Sequence, residues 1–358
     1  MRQVLLIKLQ AGDYNLRSFN SEVTMRLFVT GGAGFIGSNF IRLTLANHPG
    51  YTIVNFDKLT YAGNLDNLRD VAGLTGYSFV RGDICDRRAL DEAISGADAV
   101  INFAAESHVD RSIERASDFI ETNVAGTQTL LDAARAARIS RFVQISTDEV
   151  MGSCREAEYF TEDSAMRPNS PYAASKAAAE HLVRAAHITF GLDVVTTRAS
   201  NNYGPYQFPE KLIPLMITNA IDDKQLPVYG DGLNVRDWLH VEDCCRAIDA
   251  VLHRGQSGEV YNIGSRAEKT NLEIVNTLLE LLGKPRSLIK YVTDRLGHDR
   301  RYATDPTKIE TELGWRPEET FESGIEKTVR WYTGNSDWIA RTRSGDYLQY
   351  YERMYGGR

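Results

Sequence analysis

The stretch MRLFVTGGAGFIG, residues 25–37, passes from an apolar strand pattern through a glycine-rich turn into the start of a helical pattern. Gly31 permits the tight turn, Gly34 lets a phosphate approach the backbone, and Gly37 lets the helix pack closely on the strand. The free N–H groups and positive dipole end of that helix attract a pyrophosphate. A glycine-rich run alone is typical of many turns, but this strand–turn–helix context favours a dinucleotide site.

Residues after the next strands are consistent with such a site. Asp57 ends the second predicted strand, 20 residues after the last glycine of the turn (57 − 37). A carboxylate there accepts hydrogen bonds from the adenosine ribose and repels a 2′-phosphate, so NAD is favoured over NADP. Asp83 follows the third strand and can reach the adenine, although a surface turn explains it nearly as well. The small residues Ala104 and Ala105 after the fourth strand leave room for the dinucleotide.

Outward from this stretch, short apolar runs alternate with longer helical patterns. Strands are expected at Arg26–Thr30, Thr52–Phe56, Tyr77–Val80, Ala99–Phe103, Arg141–Ile145 and Asp193–Thr197. Helices are expected at Phe35–Ala46, Arg87–Ile94, Ser117–Ala137 and Ser170–Phe190. The runs are continuously apolar, which is typical of parallel strands buried on both faces. We therefore predict a doubly wound parallel α/β sheet (a Rossmann fold) with right-handed crossovers.

The chain divides into four expected parts. Residues 1–24 lack periodicity and are interpreted as an extension of low structural content, and residues 25–200 as the NAD-binding Rossmann domain. Beyond Arg198 the regular alternation stops, so residues 201–335 are interpreted as a smaller mixed α/β substrate-binding lobe. Parts of that lobe, namely Arg236–Leu252 and Glu259–Ile263, are expected to return to the first domain. Residues 336–358 are interpreted as a C-terminal tail.

The composition narrows the function classes. Hydrophobic residues make up 42% and charged residues 25%, the balance of an ordinary globular protein. The four cysteines show no C-x-x-C spacing, which indicates reduced thiols in a cytoplasmic protein, and no cluster with ligand spacing predicts a metal. No apolar run approaches the ~20 residues that span a bilayer. Because the net charge is −7, nucleic acid and membrane are not expected partners, and a phosphate ligand needs local cations.

A tyrosine and a lysine lie four residues apart on the helix after the fifth strand. Tyr172 and Lys176 therefore share one face of that helix. The lysine ammonium and the positive charge of an oxidised nicotinamide favour the phenolate, which makes tyrosine a usable base. This spacing arises easily by chance, so only its position after a dinucleotide fold gives it meaning.

The fifth strand ends in Ser146-Thr147-Asp148-Glu149, at the edge of the sheet where ligands bind. Thr147 can hydrogen-bond the substrate hydroxyl that Tyr172 deprotonates. Elimination of water needs a base for a carbon-bound proton and an acid for the leaving hydroxyl, and two carboxylates with separated pKa values supply both. The alternative is that Asp148 and Glu149 only cap a turn or the next helix.

Longer segments give the chain a specific resemblance. They are residues 56–64, FDKLTYAGN; 104–112, AAESHVDRS; 146–150, STDEV; 201–212, NNYGPYQFPEKL; 234–240, NVRDWLH; and 298–302, HDRRY. From about Met25 to about Tyr332 the chain resembles the extended short-chain dehydrogenase/reductase family and, within it, the dTDP-glucose 4,6-dehydratases. It departs from that pattern at Met151, where the family commonly has tyrosine, and at Leu296, where it commonly has proline.

The resemblance implies an NAD-dependent conversion of dTDP-glucose to dTDP-4-keto-6-deoxyglucose with loss of water. Tyr172 would take the proton of the hydroxyl on sugar carbon 4, Glu149 the proton on carbon 5, and Asp148 would protonate the hydroxyl leaving carbon 6. The resemblance also implies a homodimer in which helices Ser117–Ala137 and Ser170–Phe190 form a four-helix interface. Other readings are a UDP-sugar 4-epimerase, a UDP-glucuronate decarboxylase, or a catalytically silent dinucleotide-binding sensor.

The predicted catalytic residues are Thr147, Asp148, Glu149, Tyr172 and Lys176, and the predicted binding residues form two sets that share Ser107. The cofactor set is Gly31, Gly34, Phe35, Ile36, Gly37, Asp57, Lys58, Leu59, Thr60, Asp83, Ile84, Phe103, Ala104, Ala105, Ser107, Thr122, Tyr172, Lys176 and Asn202. The substrate set is Ser107, Thr147, Asn201, Lys211, Leu212, Pro227, Tyr229, Arg236, Asn271, Arg295 and His298. Within it Lys211, Arg236 and Arg295 are the candidate cations for a diphosphate.

Overall fold

The structure is a computed structural model that describes residues 24–343 together with Gln349, Tyr351 and Arg353. The expected N-terminal extension, apart from Thr24, and most of the expected C-terminal tail lie outside the described residues.

The described chain alternates strands and helices as far as β6. The strands are β1 Arg26–Thr30, β2 Thr52–Asp57, β3 Tyr77–Arg81, β4 Ala99–Asn102, β5 Arg141–Thr147, β6 Val194–Ala199, β7 Asn201–Tyr203, β8 Leu226–Tyr229, β9 Val235–His240, β10 Val260–Ile263, β11 Glu268–Thr270 and β12 Ile289–Val292. The helices are α1 Phe35–Asn47, α2 Arg87–Ala93, α3 Val109–Glu114, α4 Ala116–Phe119, α5 Thr127–Ala136, α6 Pro171–Phe190, α7 Leu212–Ile221, α8 Val241–Arg254, α9 Asn271–Leu281, α10 Thr307–Leu313, α11 Phe321–Gly334 and α12 Ser336–Thr342.

Seven strands form one parallel sheet in the order β10-β6-β5-β4-β1-β2-β3. The order reverses between β1 and β4, so their carboxyl ends open a crevice where ligands of such sheets bind. Neighbouring residues of one strand enter separate cores: Val29 lies in the core on one face and Phe28 in the core on the other. This burial on both faces explains the continuous apolar runs, and the predicted doubly wound parallel sheet is confirmed.

A smaller lobe covers the carboxyl edge of the sheet. It contains the three-stranded sheet β11-β9-β7 and the pair β12-β8, and its own core includes Ile213, Trp238 and Ile325. Two segments leave this lobe: β10 pairs with β6 at the edge of the large sheet, and α8 packs in the core that also contains Phe40 of α1. Helix α12 buries Trp338, whose indole N–H donates to Asn67 at 2.9 Å.

One predicted helix is divided in the structure. The segment expected as a single helix, Ser117–Ala137, consists of α4, a π-helical stretch Ile120–Gly126 and α5. Asn123 within the π-helical stretch donates to the main chain of Glu106 at 3.0 Å and to the hydroxyl of Ser175 at 2.8 Å. The wider π-helical turn places the Asn123 side chain between the end of β4 and α6. Hydrophobic periodicity does not predict such a turn. Within the described residues no helix combines the length and apolar character that crossing a membrane requires.

Candidate active site

A long cleft follows the carboxyl ends of β1, β2, β4 and β5 and continues under the smaller lobe. Most residues of the predicted cofactor set line it, including the glycine turn, Asp57, Asp83, Thr122 and Asn202. Of the predicted substrate set, Ser107, Thr147, Asn201 and Lys211 line the same cleft.

The glycine turn is held too tightly for side chains. Gly31 has φ +68°, and a Cβ atom there would lie 2.5 Å from the main-chain nitrogen of Ala104. A Cβ atom on Gly37 would lie 2.5 Å from the carbonyl oxygen of Gly31. Gly37 therefore allows α1 to pack closely on the glycine turn, whereas the sequence predicted close packing on the strand. Gly34, the residue before α1, offers no side-chain cap to the helix. The first N–H groups of α1 are thus available to an anion.

The carboxylate of Asp57 holds the glycine turn by hydrogen bonding to its backbone. Its carboxylate accepts the N–H of Ala33 at 2.9 Å and the N–H of Leu59 at 2.8 Å. Burial raises the pKa of Asp57, and these two backbone donors oppose that rise. Asp83 forms an ion pair with Lys58 at 2.6 Å and accepts the N–H of Cys85 at 2.9 Å. An ion pair with a residue outside its own turn therefore helps to hold the Asp83 carboxylate in the cleft wall.

The cleft fits a dinucleotide by its polar groups as well as by its shape. Buried oxygen atoms of six residues in the cleft wall have no hydrogen-bond partner within the described chain: Ser146, Asp148, Ser200, Asn201, Asn202 and Gln207. Unpaired buried polar atoms cost about 1–3 kcal/mol each, so a polar ligand at this position stabilises them. Together with the uncapped helix terminus, these residues suit a ligand that places its phosphates beside the glycine turn and has hydrogen-bonding groups along the rest of its length.

The two carboxylates lie in one 3-10 turn, Asp148–Met151, directly after β5. Thr147 begins the turn, since its hydroxyl accepts the N–H of Glu149 at 3.3 Å. Asp148 is only 2% exposed, and its Oδ2 atom has no partner in the described chain. Burial, followed by repulsion from Glu149, raises the pKa of Asp148 well above its ordinary value. Turn capping thus belongs to Thr147, whose hydroxyl also donates to Oδ1 of Asp148 at 3.3 Å, and Oδ2 of Asp148 is left for the cleft that this residue lines.

Glu149 has a different environment from its neighbour. It is half-buried, lines the cleft, and its Oε2 atom lies 3.5 Å from the hydroxyl of Tyr302. Tyr302 in turn donates to Asp299 at 2.7 Å, and the guanidinium of Arg236 lies 4.2 Å from the centre of its ring. The two carboxylates therefore differ in solvation, which is the condition for one acid and one base.

Tyr172 and Lys176 are placed by a well-capped helix. Ser170 accepts the N–H of Ala173 at 3.1 Å, Pro171 occupies the first turn of α6, and Gly191 ends the helix with φ +70°. Tyr172 is 8% exposed, and Lys176 donates to the carbonyl oxygen of Ile145 at 2.6 Å.

The pKa of Tyr172 shifts in the direction opposite to the one that the nearby lysine predicts. In the chain alone, burial raises the pKa of Tyr172, Glu149 adds to the rise, and a hydrogen bond with Thr147 opposes it. Burial lowers the pKa of Lys176 to about 8, a shift that Glu180 opposes. In the chain alone, the lysine thus does not make the phenol acidic.

Three cations of the predicted substrate set lie near one another in the smaller lobe. We call the region of Lys211, Arg236 and Arg295 the substrate end. Lys211 donates to the carbonyl oxygen of Ser107 at 2.8 Å, and Arg236 donates to that of Asp299 at 2.9 Å. Arg295 lies 3.5 Å from Asp110 and repels the charges of both Lys211 and Arg236. Burial lowers the pKa of Lys211 and of Arg236, so both side chains would gain from an anionic ligand.

The other predicted substrate contacts lie around these cations or further out. Tyr229 donates to Asp110 at 3.0 Å, and its ring meets that of His298 edge-on at 6.3 Å. His298 lies 2.6 Å from Asp294, and burial, with Arg295 and Arg236, lowers its pKa to about 4. Tyr229, Arg236, Arg295 and His298 are not among the residues that line the cofactor cleft. Pro227, buried in β8, and Leu212 and Asn271, the first residues of α7 and α9, also lie outside that lining.

Sequence reasoning missed several residues that shape the site. Arg111 pairs with Glu210 at 3.0 Å, and its guanidinium lies 3.8 Å from the centre of the Tyr61 ring. This contact joins the Rossmann domain to the segment that carries Lys211. Tyr302 and Asp299 were noticed only as part of a family segment. No local spacing could have paired Arg111 with a residue 99 positions away.

The chain is similar to known proteins over most of its length. The family model described as GDP-mannose 4,6 dehydratase matches residues 28–328. The dTDP-glucose 4,6-dehydratase of Streptomyces niveus is 53% identical over 90% of this chain and 97% of that protein. The dTDP-glucose 4,6-dehydratase of Escherichia coli is 49% identical over 93% of this chain and 100% of that protein.

Solved structures include enzymes of both rival types. The dTDP-glucose 4,6-dehydratase DesIV of Streptomyces venezuelae, solved with NAD bound, has a TM-score of 0.86 and 54% identity, covering 88% of this chain and 98% of DesIV. The UDP-glucose 4-epimerase of Thermus thermophilus, also solved with NAD, has a TM-score of 0.81 and 31% identity, covering 87% of this chain and 100% of the epimerase. The fold is thus common to dehydratases and epimerases.

Proposed function

The chain belongs to the GDP-mannose 4,6 dehydratase family, and we propose that it converts dTDP-glucose to dTDP-4-keto-6-deoxyglucose with loss of water. It is an NAD-dependent hydro-lyase of the dTDP-glucose 4,6-dehydratase type. The observation that carries this choice over an epimerase is the pair of carboxylates in one turn. Asp148 is buried with a raised pKa, and Glu149 is half-buried. An epimerase has no elimination step and therefore no evident use for that pair.

The diphosphate of the substrate would lie among the three cations at the far end of the cleft. Arg236 and Arg295 present guanidinium groups whose planar forks suit phosphate oxygens, and Lys211 supplies a point charge. His298 has its pKa lowered to about 4, so its imidazole is neutral at pH 7 and can exchange hydrogen bonds without competing charge. These contacts orient the sugar so that carbons 4 to 6 face the turn after β5.

The first proton to move is that of the carbon-4 hydroxyl. Thr147 holds the hydroxyl, and Tyr172 accepts its proton. When bound along the cleft, NAD supplies the redox chemistry, since it accepts a hydride from carbon 4 and gives it back to carbon 6. The positive charge that accompanies it also lowers the pKa of Tyr172, which burial alone raises. Lys176, fixed to the carbonyl of Ile145, keeps the phenol in place.

Elimination then uses the two carboxylates. The ketone at carbon 4 acidifies the proton on carbon 5, and Glu149 takes that proton. The carbon–oxygen bond at carbon 6 breaks as Asp148 donates its proton to the leaving hydroxyl. Burial raises the pKa of Asp148 well above its ordinary value, which favours the protonated acid that this step requires. As the hydride returns to carbon 6, Glu149 gives its proton back to carbon 5. Tyr172 then releases to solvent the proton that it took from the carbon-4 hydroxyl, and Asp148 regains from solvent the proton that left with the water.

Product identification tests this function. Purified protein with dTDP-glucose should give a dehydrated 4-keto sugar by NMR and mass spectrometry. The epimerase reading predicts an isomer of unchanged mass, and the decarboxylase reading predicts turnover of UDP-glucuronate with release of carbon dioxide. A silent sensor predicts NAD binding without turnover. Any of these three outcomes contradicts the proposed function.

We also propose a homodimer formed through α5 and α6. The two helices flank a groove that Leu131, Leu182 and Phe190 help to line, and the exposed fractions of Ile188 and Phe190 on α6 are 66% and 54%. Apolar surface in this amount on one helix end is typical of an interaction site. Light scattering should give twice the chain mass, and Ile188→Glu should give a monomer. The matched control is Tyr291→Glu, which changes an apolar residue 57% exposed on β12. A monomeric parent protein would contradict the proposal.

Two further expectations concern organisation and location. Residues 25–200 would form the cofactor domain and 201–335 the substrate lobe, an assignment supported by the separate core around Ile213 and Trp238. A cytoplasmic location is supported by four free cysteines, Cys85, Cys154, Cys244 and Cys245, since secreted proteins tend to pair theirs. Cell fractionation with an antibody would check the location, and recovery outside the cytoplasm would contradict it.

A further inference from the structure

Three side chains on the opposite side of the Rossmann domain have the chemistry of a metal site. His48 follows the last residue of α1, and Asp249 and His253 lie one turn apart on α8. One ligand atom from each residue lies within 4.8 Å of the other two. We propose that His48, Asp249 and His253 bind a first-row divalent cation of the Zn²⁺ type, which fastens the end of α1 to α8.

The separations are already close to those around a bound ion. Nε2 of His48 lies 2.9 Å from Oδ1 of Asp249, and Nδ1 of His253 lies 3.5 Å from the same oxygen. Ligand atoms about 2.0–2.2 Å from a tetrahedral Zn²⁺ lie roughly 3.3–3.5 Å apart. The third pair of ligand atoms, one from each histidine, lies within 4.8 Å, so side-chain rotation has to bring the two rings together around the ion.

Tyr51 prepares His253 for this role. Nδ1 of His253 lies 2.7 Å from the main-chain oxygen of Asp249, which fits an N–H donor in the chain without metal. Nε2 of the same ring lies 2.8 Å from the hydroxyl of Tyr51. A hydroxyl can donate or accept, so the ring can move its proton to Nε2 and keep this partner when Nδ1 binds a cation. Such an outer-shell hydrogen bond is the usual support of a metal-binding histidine.

The position of the group indicates a structural and not a catalytic ion. Helix α1 has 13 residues, so its C-terminal end lies about 20 Å from the glycine turn at its other end. The side chains of His48, Asp249 and His253 are each about a quarter exposed, at 26%, 23% and 24%. An ion can enter from solvent, and water can complete its coordination. Imidazole and carboxylate ligands together suit Zn²⁺ and its first-row neighbours.

Calorimetric titration with ZnCl₂ tests the site directly. The protein should carry NAD and no histidine tag, and one equivalent of Zn²⁺ should bind per chain. His48→Ala and His253→Ala should each weaken binding by at least about 100-fold, since a lost ligand costs more than a lost outer-shell partner. The matched control is His181→Ala, an exposed histidine on α6, which should bind as the parent does. Equal affinity in all four proteins would overturn the proposal.

Two milder changes keep the test valid if an alanine variant fails to fold. Asp249→Asn preserves the shape of the side chain and should lose most of the affinity for Zn²⁺. Tyr51→Phe should weaken binding by about 10-fold, because it removes only the outer-shell partner of His253. Bound Co²⁺ should show the intense visible absorption of low coordination in the parent protein and lose it in Asp249→Asn. Unchanged Zn²⁺ affinity and Co²⁺ absorption in Asp249→Asn would refute the site.

Discussion

The two ends of the cleft are built in different ways. At the cofactor end, most lining residues lie at or just after the end of a strand, as in the glycine turn after β1 and Asp57 at the end of β2. At the substrate end, Lys211, Arg236 and Arg295 come from three separate segments of the smaller lobe. The turn Asp148–Met151 joins the two ends. Enzymes that share the fold can thus keep one end and change the other.

The largest effect is expected where the two ends meet. Glu149→Gln removes the proposed base for carbon 5 and should lower kcat by about 10²–10⁴-fold, the usual contribution of general base catalysis. Oxidation at carbon 4 precedes that step, so a single turnover should still show the near-ultraviolet absorbance of reduced nicotinamide. The matched control, Glu156→Gln, changes an exposed glutamate and should leave kcat unaltered. Unchanged product formation in Glu149→Gln would remove this residue as the base.

The substrate end should respond separately from the cofactor end. Arg236→Lys keeps the charge but loses the planar fork and the stacking on Tyr302, whose ring centre lies 4.2 Å away. A lost charged hydrogen bond costs about 1.5–3 kcal/mol, so KM should rise by roughly 10–100-fold. Affinity for NAD, measured by calorimetry, should stay within about twofold. An equal loss of NAD affinity would show that the two ends are not independent.

The cofactor end is tested by a pair of glycines with the same backbone conformation. Gly31 has φ +68° and backbone atoms of Ala104 within 2.7 Å of an added Cβ, whereas Gly96 has φ +72° and open space. Gly96→Ala should cost only the left-handed strain of about 1–2 kcal/mol. Gly31→Ala should cost more and also lose NAD. Thermal melting and NAD retention measure both effects, and similar melting temperatures would contradict the close-packing account.

The smallest expected effect is a pH dependence of stability at the substrate end. The pKa of His298 is lowered to about 4 from an ordinary 6.5 by burial, Arg295 and Arg236, so the unfolded chain binds one more proton between those values. Its contribution is complete above pH 6.5 and is lost as the pH falls toward 4. His298→Gln should therefore show a shallower fall in unfolding free energy over that range. An identical slope by urea denaturation would rule out this contribution.

Local patterns predicted the fold and the cofactor end because each depends on neighbours in sequence. Strand β1 and helix α6 begin within one residue of their expected starts, since continuous apolar runs and a Ser-Pro cap mark them. The division of the helix after α3 was missed because Asn123 makes its contacts with Glu106 and Ser175, which are distant in sequence. The hydrogen bonds of the Asn123 side chain are tertiary contacts, and hydrophobic periodicity along the chain does not predict them.

The substrate end and the proposed metal site of His48, Asp249 and His253, called the rear group below, depend on contacts between residues that are far apart in sequence. The residue roles at the substrate end came from resemblance to a family, since no spacing links Arg236 to Arg295 or either of them to Lys211. In the rear group, Asp249 and His253 are four residues apart, but His48 lies 201 positions from Asp249. Only the packing of α1 against α8 brings the three together. Sequence alone therefore predicted no metal ligands there.

The path of one hydrogen atom tests the central claim most directly. A mixture of unlabelled dTDP-glucose and dTDP-glucose deuterated at carbon 4 is converted by the protein, and the product is analysed by mass spectrometry and NMR. The account predicts one deuterium on carbon 6 of the same sugar that carried it on carbon 4, with loss of water and no exchange between molecules. Deuterium that remains on carbon 4, passes to the solvent or appears in an isomer without loss of water would contradict it.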